Sequence, residues 1–202
     1  RHSHVIKVGR THLEDAVPIT MAQEFRAYAV MLEKTKKRFI KTSEELFEIG
    51  LGGTALGTGI TTHPSFQRKI MARLAKLTQL PLIPTENLCE TTSSMNAFVA
   101  TSSVCRMLAI DLIKISNDLK LLNMGPLAGI SEITLPEVEP GSSIMPGKVN
   151  PSIAEAVHMA AYDVMAGDFA IALAAQAGQL ELNVMTPLIL KHLLGNLQLL
   201  TN

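Results

Sequence analysis

Between Ser94 and Leu122 the large apolar side chains return at steps of three or four: Val104, Leu108, Leu112, Ile115, Leu119 and Leu122. That is the period of one face of an α-helix, and no proline or glycine interrupts it. The same period recurs upstream. Thr20-Met21-Ala22-Gln23 has the form of a capping box, and Phe25, Ala29, Leu32, Phe39, Ile40, Leu46 and Phe47 follow it. The helix so predicted ends near Gly50, after about 29 residues or roughly 43 Å. Further helices are predicted from Ser65 to Gln79, stopped by Pro81 and Pro84, and from Pro187 to the end. Another runs from Pro151, which suits a first helical position, through about Ala177.

The chain is therefore predicted to be all-α, a bundle of long helices over residues 1–202 with no convincing strand. Its core must be aliphatic, because 47% of residues are hydrophobic but only 4% aromatic, with no tryptophan. Helices apolar around much of their circumference need cover on several sides. The bundle is expected to complete its core by oligomerising.

Other features narrow the partners. The formal net charge is zero, so the basic footprint of a nucleic-acid binder is missing. The strongest basic cluster, Lys34 to Arg38, is flanked by Glu33, Glu44 and Glu45 and reads as a solvated helix face. Cys89 and Cys105 show no metal or disulfide spacing; both read as small buried hydrophobes in a reducing, cytoplasmic setting. No uninterrupted apolar run approaches the roughly 18 residues of a bilayer span, so no membrane partner is expected. The chain opens on Arg1 and runs directly into its first motif, which reads as the start of an excised central domain.

Three stretches could carry chemistry. In GSSIMPGKVNP, Gly141 to Pro151, the glycines permit unusual backbone angles. A following helix would point free N–H groups back at the loop. Lys148 adds a positive charge, Asn150 an amide donor, and Ser142 and Ser143 two hydroxyls within reach of a held anion. The local chemistry fits a carboxylate or phosphate site, and it also fits a flexible linker with one solvated lysine. In GRTHLEDA, Gly9 to Ala16, Thr11 and His12 put a hydroxyl beside a group suited to proton transfer, or beside an ordinary loop histidine. Glu14 and Asp15 lack a second histidine at ligand spacing, so no metal is expected. GLGGTALGTG, Gly50 to Gly59, lacks the ending and the preceding strand of a phosphate loop and reads as a turn between helices. His2, His4, His63, His158 and His192 read as terminal, turn, interface or core residues.

Taken together, GRTHLEDAVP, GGTALGTG, GPLAGISEITLPE, GSSIMPGKVNP and AGQLELNVMTP resemble, in order, five blocks of the aspartase/fumarase superfamily. They span essentially the whole chain. The resemblance implies the central helical domain of chains about twice this length, four of which share a helical core as a homotetramer. It also implies a cofactor-free elimination beside a carboxylate, with fumarate as one product. By resemblance Ser142 is the catalytic base, acting as an alkoxide through an aci-carboxylate dianion. Lys148 and Asn150 would hold a substrate carboxylate, with Ser143 beside them and Thr11 and His12 on the opposite wall. Glu155 matches the position that pairs with this histidine across a subunit boundary, which would raise its basicity. AAQAGQLELNVMTP, TENLCETTSSMNAF and AVPITMAQEFRAY resemble the aspartase branch more than the fumarase branch. L-Aspartate is thus the implied dicarboxylate, L-malate the alternative, and an inactive oligomerisation core the reading for the isolated domain. Leu127, Thr61, Glu14 and Ala22 depart from the common arginine, asparagine, glutamine and glycine.

Overall fold

The computed structural model describes residues 4–202; Arg1, His2 and Ser3 lie outside the described part. The described chain has six helices: α1 Met21–Glu45, α2 Phe66–Thr78, α3 Leu88–Ser93, α4 Asn96–Leu122, α5 Ser152–Ala175 and α6 Thr186–Thr201. The predicted all-α class holds. Thr20 caps α1 as expected: its hydroxyl accepts from the Gln23 N–H, and the Gln23 side chain accepts from the Thr20 N–H. Ser65 and Gln79 flank α2, and Gln79 closes it in the left-handed conformation.

Strands are present after all. β1 (Ile6–Thr11) and β2 (Glu14–Thr20) form an antiparallel hairpin where a loop was predicted. β3 (Glu48–Ile49) and β4 (Ile83–Pro84) make a two-residue parallel pair. The alternation of this hairpin is inverted, which hides it in a hydropathy pattern. Lys7 points inward, while Ile6, Val8 and Val17 are exposed. The short pair also ends α1 at Glu45 rather than near Gly50, since Ile49 is needed to accept from Thr85.

The core lies where α4, α5 and α6 meet, around Cys105, Ala109, Val164, Ile171, Ile189 and Leu193. Of the apolar stripe on α4 only Val104 and Leu122 are buried. Leu108, Leu112, Ile115 and Leu119 are only half-buried, whereas Ser102, Cys105, Ala109 and Ser116 are buried. On α5 the buried set includes Ala154, Ala161, Gly167 and Ala174. Small side chains on both faces let the helix axes approach closely. At Gly167 a Cβ would stand 2.5 Å from Asn196 Oδ1 on α6, and Asn196 donates to the Val164 carbonyl at 3.2 Å. Asp168, buried beside this contact, accepts from Ser102 Oγ at 2.7 Å and pairs with Arg106 at 2.8 Å. α1 lies on α4 through Tyr28 to Asp118 (2.6 Å) and Thr35 to Asp111 (2.8 Å).

By length and composition alone α5 could cross a membrane, contrary to the count of uninterrupted apolar residues. Alanines between its charged positions keep mean hydropathy high. One face of α5 is core of this bundle, and its Asp168 is ion-paired within it. Cys89 is exposed at the first turn of α3, contrary to expectation; only Cys105 is buried. Burial, and the Asp168 charge beside it, push the Cys105 thiol up to about 11.

Candidate active site

The segment 123–151 has no regular element and links α4 to α5. Its start is fixed to the end of α4: Glu132 and Ile133 N–H both donate to the Leu122 carbonyl, and Leu135 N–H donates to Asn123 Oδ1. Its end folds back on itself. Asn150 Nδ2 donates to the Gly141 carbonyl at 2.8 Å, so the two ends of the signature loop meet. A Cβ on Gly141 would fall 1.3 Å from the Lys148 carbonyl oxygen. Gly141 is therefore required for close approach, not for an unusual angle as predicted; Gly147, at φ +78, supplies the angle.

Inside this loop Ser142 Oγ accepts from the Ile144 N–H at 3.2 Å and the Met145 N–H at 3.1 Å. Two backbone dipoles thus aim at one hydroxyl oxygen. Such donors favour the anionic form of the oxygen they face. Ser142 and Asn150 are half-buried; Ser143, Lys148 and Glu155 are exposed. Pro151 is the N-cap of α5 rather than its first residue and provides no side-chain cap. The first-turn N–H groups of α5 therefore lack intrahelical acceptors. A cleft of about 160 Å³ opens beside this helix start, lined by Ser116, Leu119, Leu135, Pro136, Pro151 and Val157 among others. None of the predicted site residues lines it.

Thr11 and His12 lie at the hairpin tip. His12 and Leu13 form a two-residue turn with φ of 57 and 65, the positive values a tight hairpin requires. Leu13 is strained by about 1–2 kcal/mol in that region, and it is solvent-exposed. Thr11 and His12 are exposed too, and no hydrogen bond or ion pair joins them to Ser142, Lys148, Asn150 or Glu155 among the described residues. The structure thus brings together Gly141, Ser142 and Asn150, and leaves the hairpin tip and Glu155 open to solvent.

One cluster went unseen in the sequence. Lys7 pairs with Glu24 of α1 at 2.7 Å and with Glu132 at 2.8 Å, and Arg10 pairs with Glu132 at 2.8 Å. Only 6% of the Lys7 side chain is exposed. Burial alone would raise the Glu132 pKa, but contact with the Lys7 and Arg10 cations outweighs it and holds the carboxyl below its ordinary range. Lys7 is lowered by burial and raised more by the two glutamates, to a net value above the ordinary one. No local signal pairs residues so far apart in sequence.

A family model described as "Lyase" matches residues 1–166. The chain belongs to the aspartase/fumarase superfamily. It is 51% identical over 199 residues to an aspartate ammonia-lyase of Pseudomonas fluorescens, covering 98% of this chain and 42% of that one. An aspartate ammonia-lyase of Helicobacter pylori (strain ATCC 700392 / 26695) is 47% identical over 187 residues, covering 93% and 40%. Among solved structures, the fumarate lyase:delta crystallin of Brucella melitensis bound to cobalt superposes with TM-score 0.96 at 44% identity, covering 98% of this chain and 43% of that one. The class II fumarase of Schistosoma mansoni superposes with TM-score 0.95 at 38% identity, covering 98% and 44%. The chain spans about two fifths of the length of these superfamily members.

Proposed function

We propose that this chain is the central helical domain of an enzyme of its relatives' length, and that the enzyme eliminates ammonia from L-aspartate to give fumarate. The observation that carries the chemistry is the Ser142 hydroxyl facing two loop N–H groups. A serine is a very poor base in water, and it becomes one only where its oxyanion is stabilised in advance. Ser142, as alkoxide, takes the proton from the carbon next to one carboxylate. The electrons move onto that carboxylate as an aci-carboxylate dianion, and their return expels the amino group as ammonia. Lys148 and the uncapped start of α5 supply positive potential for the carboxylate, with Ser143 and Asn150 beside them. No metal or organic cofactor enters this scheme.

The homotetramer belongs to the proposal as well. It is supported by an exposed apolar stripe on α5, Met159, Tyr162, Phe169 and Leu173, at helical spacing. The outward apolar face of the hairpin supports it too. In that assembly His12 of one subunit meets Glu155 of another, which explains why both are solvent-exposed in a single chain. The 202-residue chain alone is then an inactive oligomerisation core. The superposition on a class II fumarase favours one other reading, hydration of fumarate by the same base. Fumarate absorbance decides between them. A rise with L-aspartate and not L-malate in the protein carrying flanking domains, abolished by Ser142→Ala with assembly intact, supports the lyase. A rise with malate alone transfers the site to a fumarase, and a fully active alanine variant removes Ser142 as the base.

A further inference from the structure

We propose that Glu132 is a positioning residue: by bridging Lys7 and Arg10 it locks the hairpin that carries Thr11 and His12 onto the strap leading to Ser142. The proposal rests on the elimination chemistry above for its effect on rate, and on geometry alone for the latch. Glu132 is held at the end of α4 by its own N–H, which donates to the Leu122 carbonyl. It is thus anchored to the core. From there its two carboxylate oxygens reach different residues of β1, Oε1 to Arg10 and Oε2 to Lys7, each at 2.8 Å. The Lys7 contact is ionic, outside hydrogen-bond angles.

Lys7 and Arg10 are three apart and would leave a flat strand on opposite faces. The ladder is irregular between them: Val8 pairs with Pro18 but Arg10 pairs with Asp15, so β2 carries an extra residue opposite Gly9. Such a bulge increases the local twist. The Val17 carbonyl there comes within 2.7 Å of where a Gly9 Cβ would be, so only glycine fits. The twist and the length of both side chains bring two cations onto one carboxylate. Lys7 also takes Glu24 of α1, which fixes the base of the hairpin to the bundle. Thr11 and His12 follow Arg10 directly, so holding Arg10 sets where the tip stands.

The test is Glu132→Gln, nearly the same shape without the charge, in the full-length protein. Amide hydrogen exchange reads the hairpin, residues 8–19, against the α4–α6 core, and steady-state kinetics reads turnover. The latch predicts faster exchange in the hairpin with the core unchanged, kcat lower by roughly 10- to 100-fold, and a much smaller change in KM. Glu132→Asp, which keeps the charge on a shorter stem, recovers part of both. Unchanged hairpin exchange overturns the latch, and faster exchange with undiminished kcat overturns the positioning role. Should the parent itself turn over neither L-aspartate nor L-malate, the elimination reading falls, and the exchange experiment still decides the latch.

Discussion

Replacing Gly141 with alanine tests whether the closed signature loop is the working one. A Cβ at this position would sit 1.3 Å from the Lys148 carbonyl oxygen, and real Cβ atoms keep at least 3.0 Å from such a neighbour. One arm of the loop must therefore retreat by about 1.7 Å, the difference of those two distances. The atom in the way is backbone, so no rotamer change relieves it. The retreat separates Asn150 from the Gly141 carbonyl and turns the Ile144 and Met145 N–H groups relative to Ser142 Oγ. A misplacement of about 1 Å costs on the order of 100-fold in rate, so kcat/KM should fall at least that far, about 2.7 kcal/mol. Stability should change by less than about 1 kcal/mol, because no residue between 141 and 150 is buried. Gly147→Ala is the control. Nothing lies within 4 Å of its Cβ, so it meets only the strain of a positive φ, about 1–2 kcal/mol, and should retain more activity. The assay is fumarate absorbance with L-aspartate, beside a thermal melt of each variant. A Gly141→Ala enzyme within threefold of its parent would refute the idea that this loop geometry is the catalytic one.

Four further outcomes are expected. Asp168→Ala should destabilise the bundle by about 3 kcal/mol, since it leaves the Ser102 hydroxyl buried without a partner and Arg106 without its ion pair; urea unfolding measures it. Thr61 holds φ +68, where a β-branched residue is strained and asparagine is tolerated. Thr61→Asn should therefore stabilise by about 1 kcal/mol in the same assay. In the native protein an aromatic disulfide reagent at pH 8 should titrate Cys89 quickly and Cys105 only on unfolding, because Cys105 is buried and its thiol lies near 11. The Lys7–Glu132 pair should give a stability plateau with two edges. Glu132 has a lowered folded pKa, so its contribution is present above the unfolded value of 4.5 and is lost as pH falls through the folded one. Lys7 has a raised folded pKa, so its contribution is full below 10.5 and is lost as pH rises through its folded value. Glu132→Gln should flatten the acid edge of a melting-temperature profile.

Sequence periodicity located the helices well and their buried faces less well. The α2 and α4 boundaries fall within two residues of those expected, because proline and glycine punctuation and apolar period are local signals. The depth of burial is not local. Leu112 and Ile115 announce an apolar face, yet beside Val104 and Leu122 the buried positions are Thr101, Ser102, Cys105, Ala109 and Ser116, small residues a hydropathy pattern passes over. Where helices approach closely the small residue wins, because the gap admits nothing larger. The leucines are left half-buried in the single chain.

The signature loop was legible for a different reason. Ser142, Lys148 and Asn150 lie in one short loop, so the motif carried its own geometry. The hairpin did not, because its buried side bears a lysine and its outer side bears Ile6, Val8 and Val17. That inversion is physically consistent only if the ion pairs beneath it are satisfied and the apolar face above it is covered. The first condition is met within this chain by Glu24 and Glu132. The second is not met within it, since Ile6 is 73% and Val17 71% exposed. The proposed homotetramer would meet that second condition by laying another subunit on the apolar face. The residues such a closure would bring to the loop are the ones at its tip, Thr11 and His12.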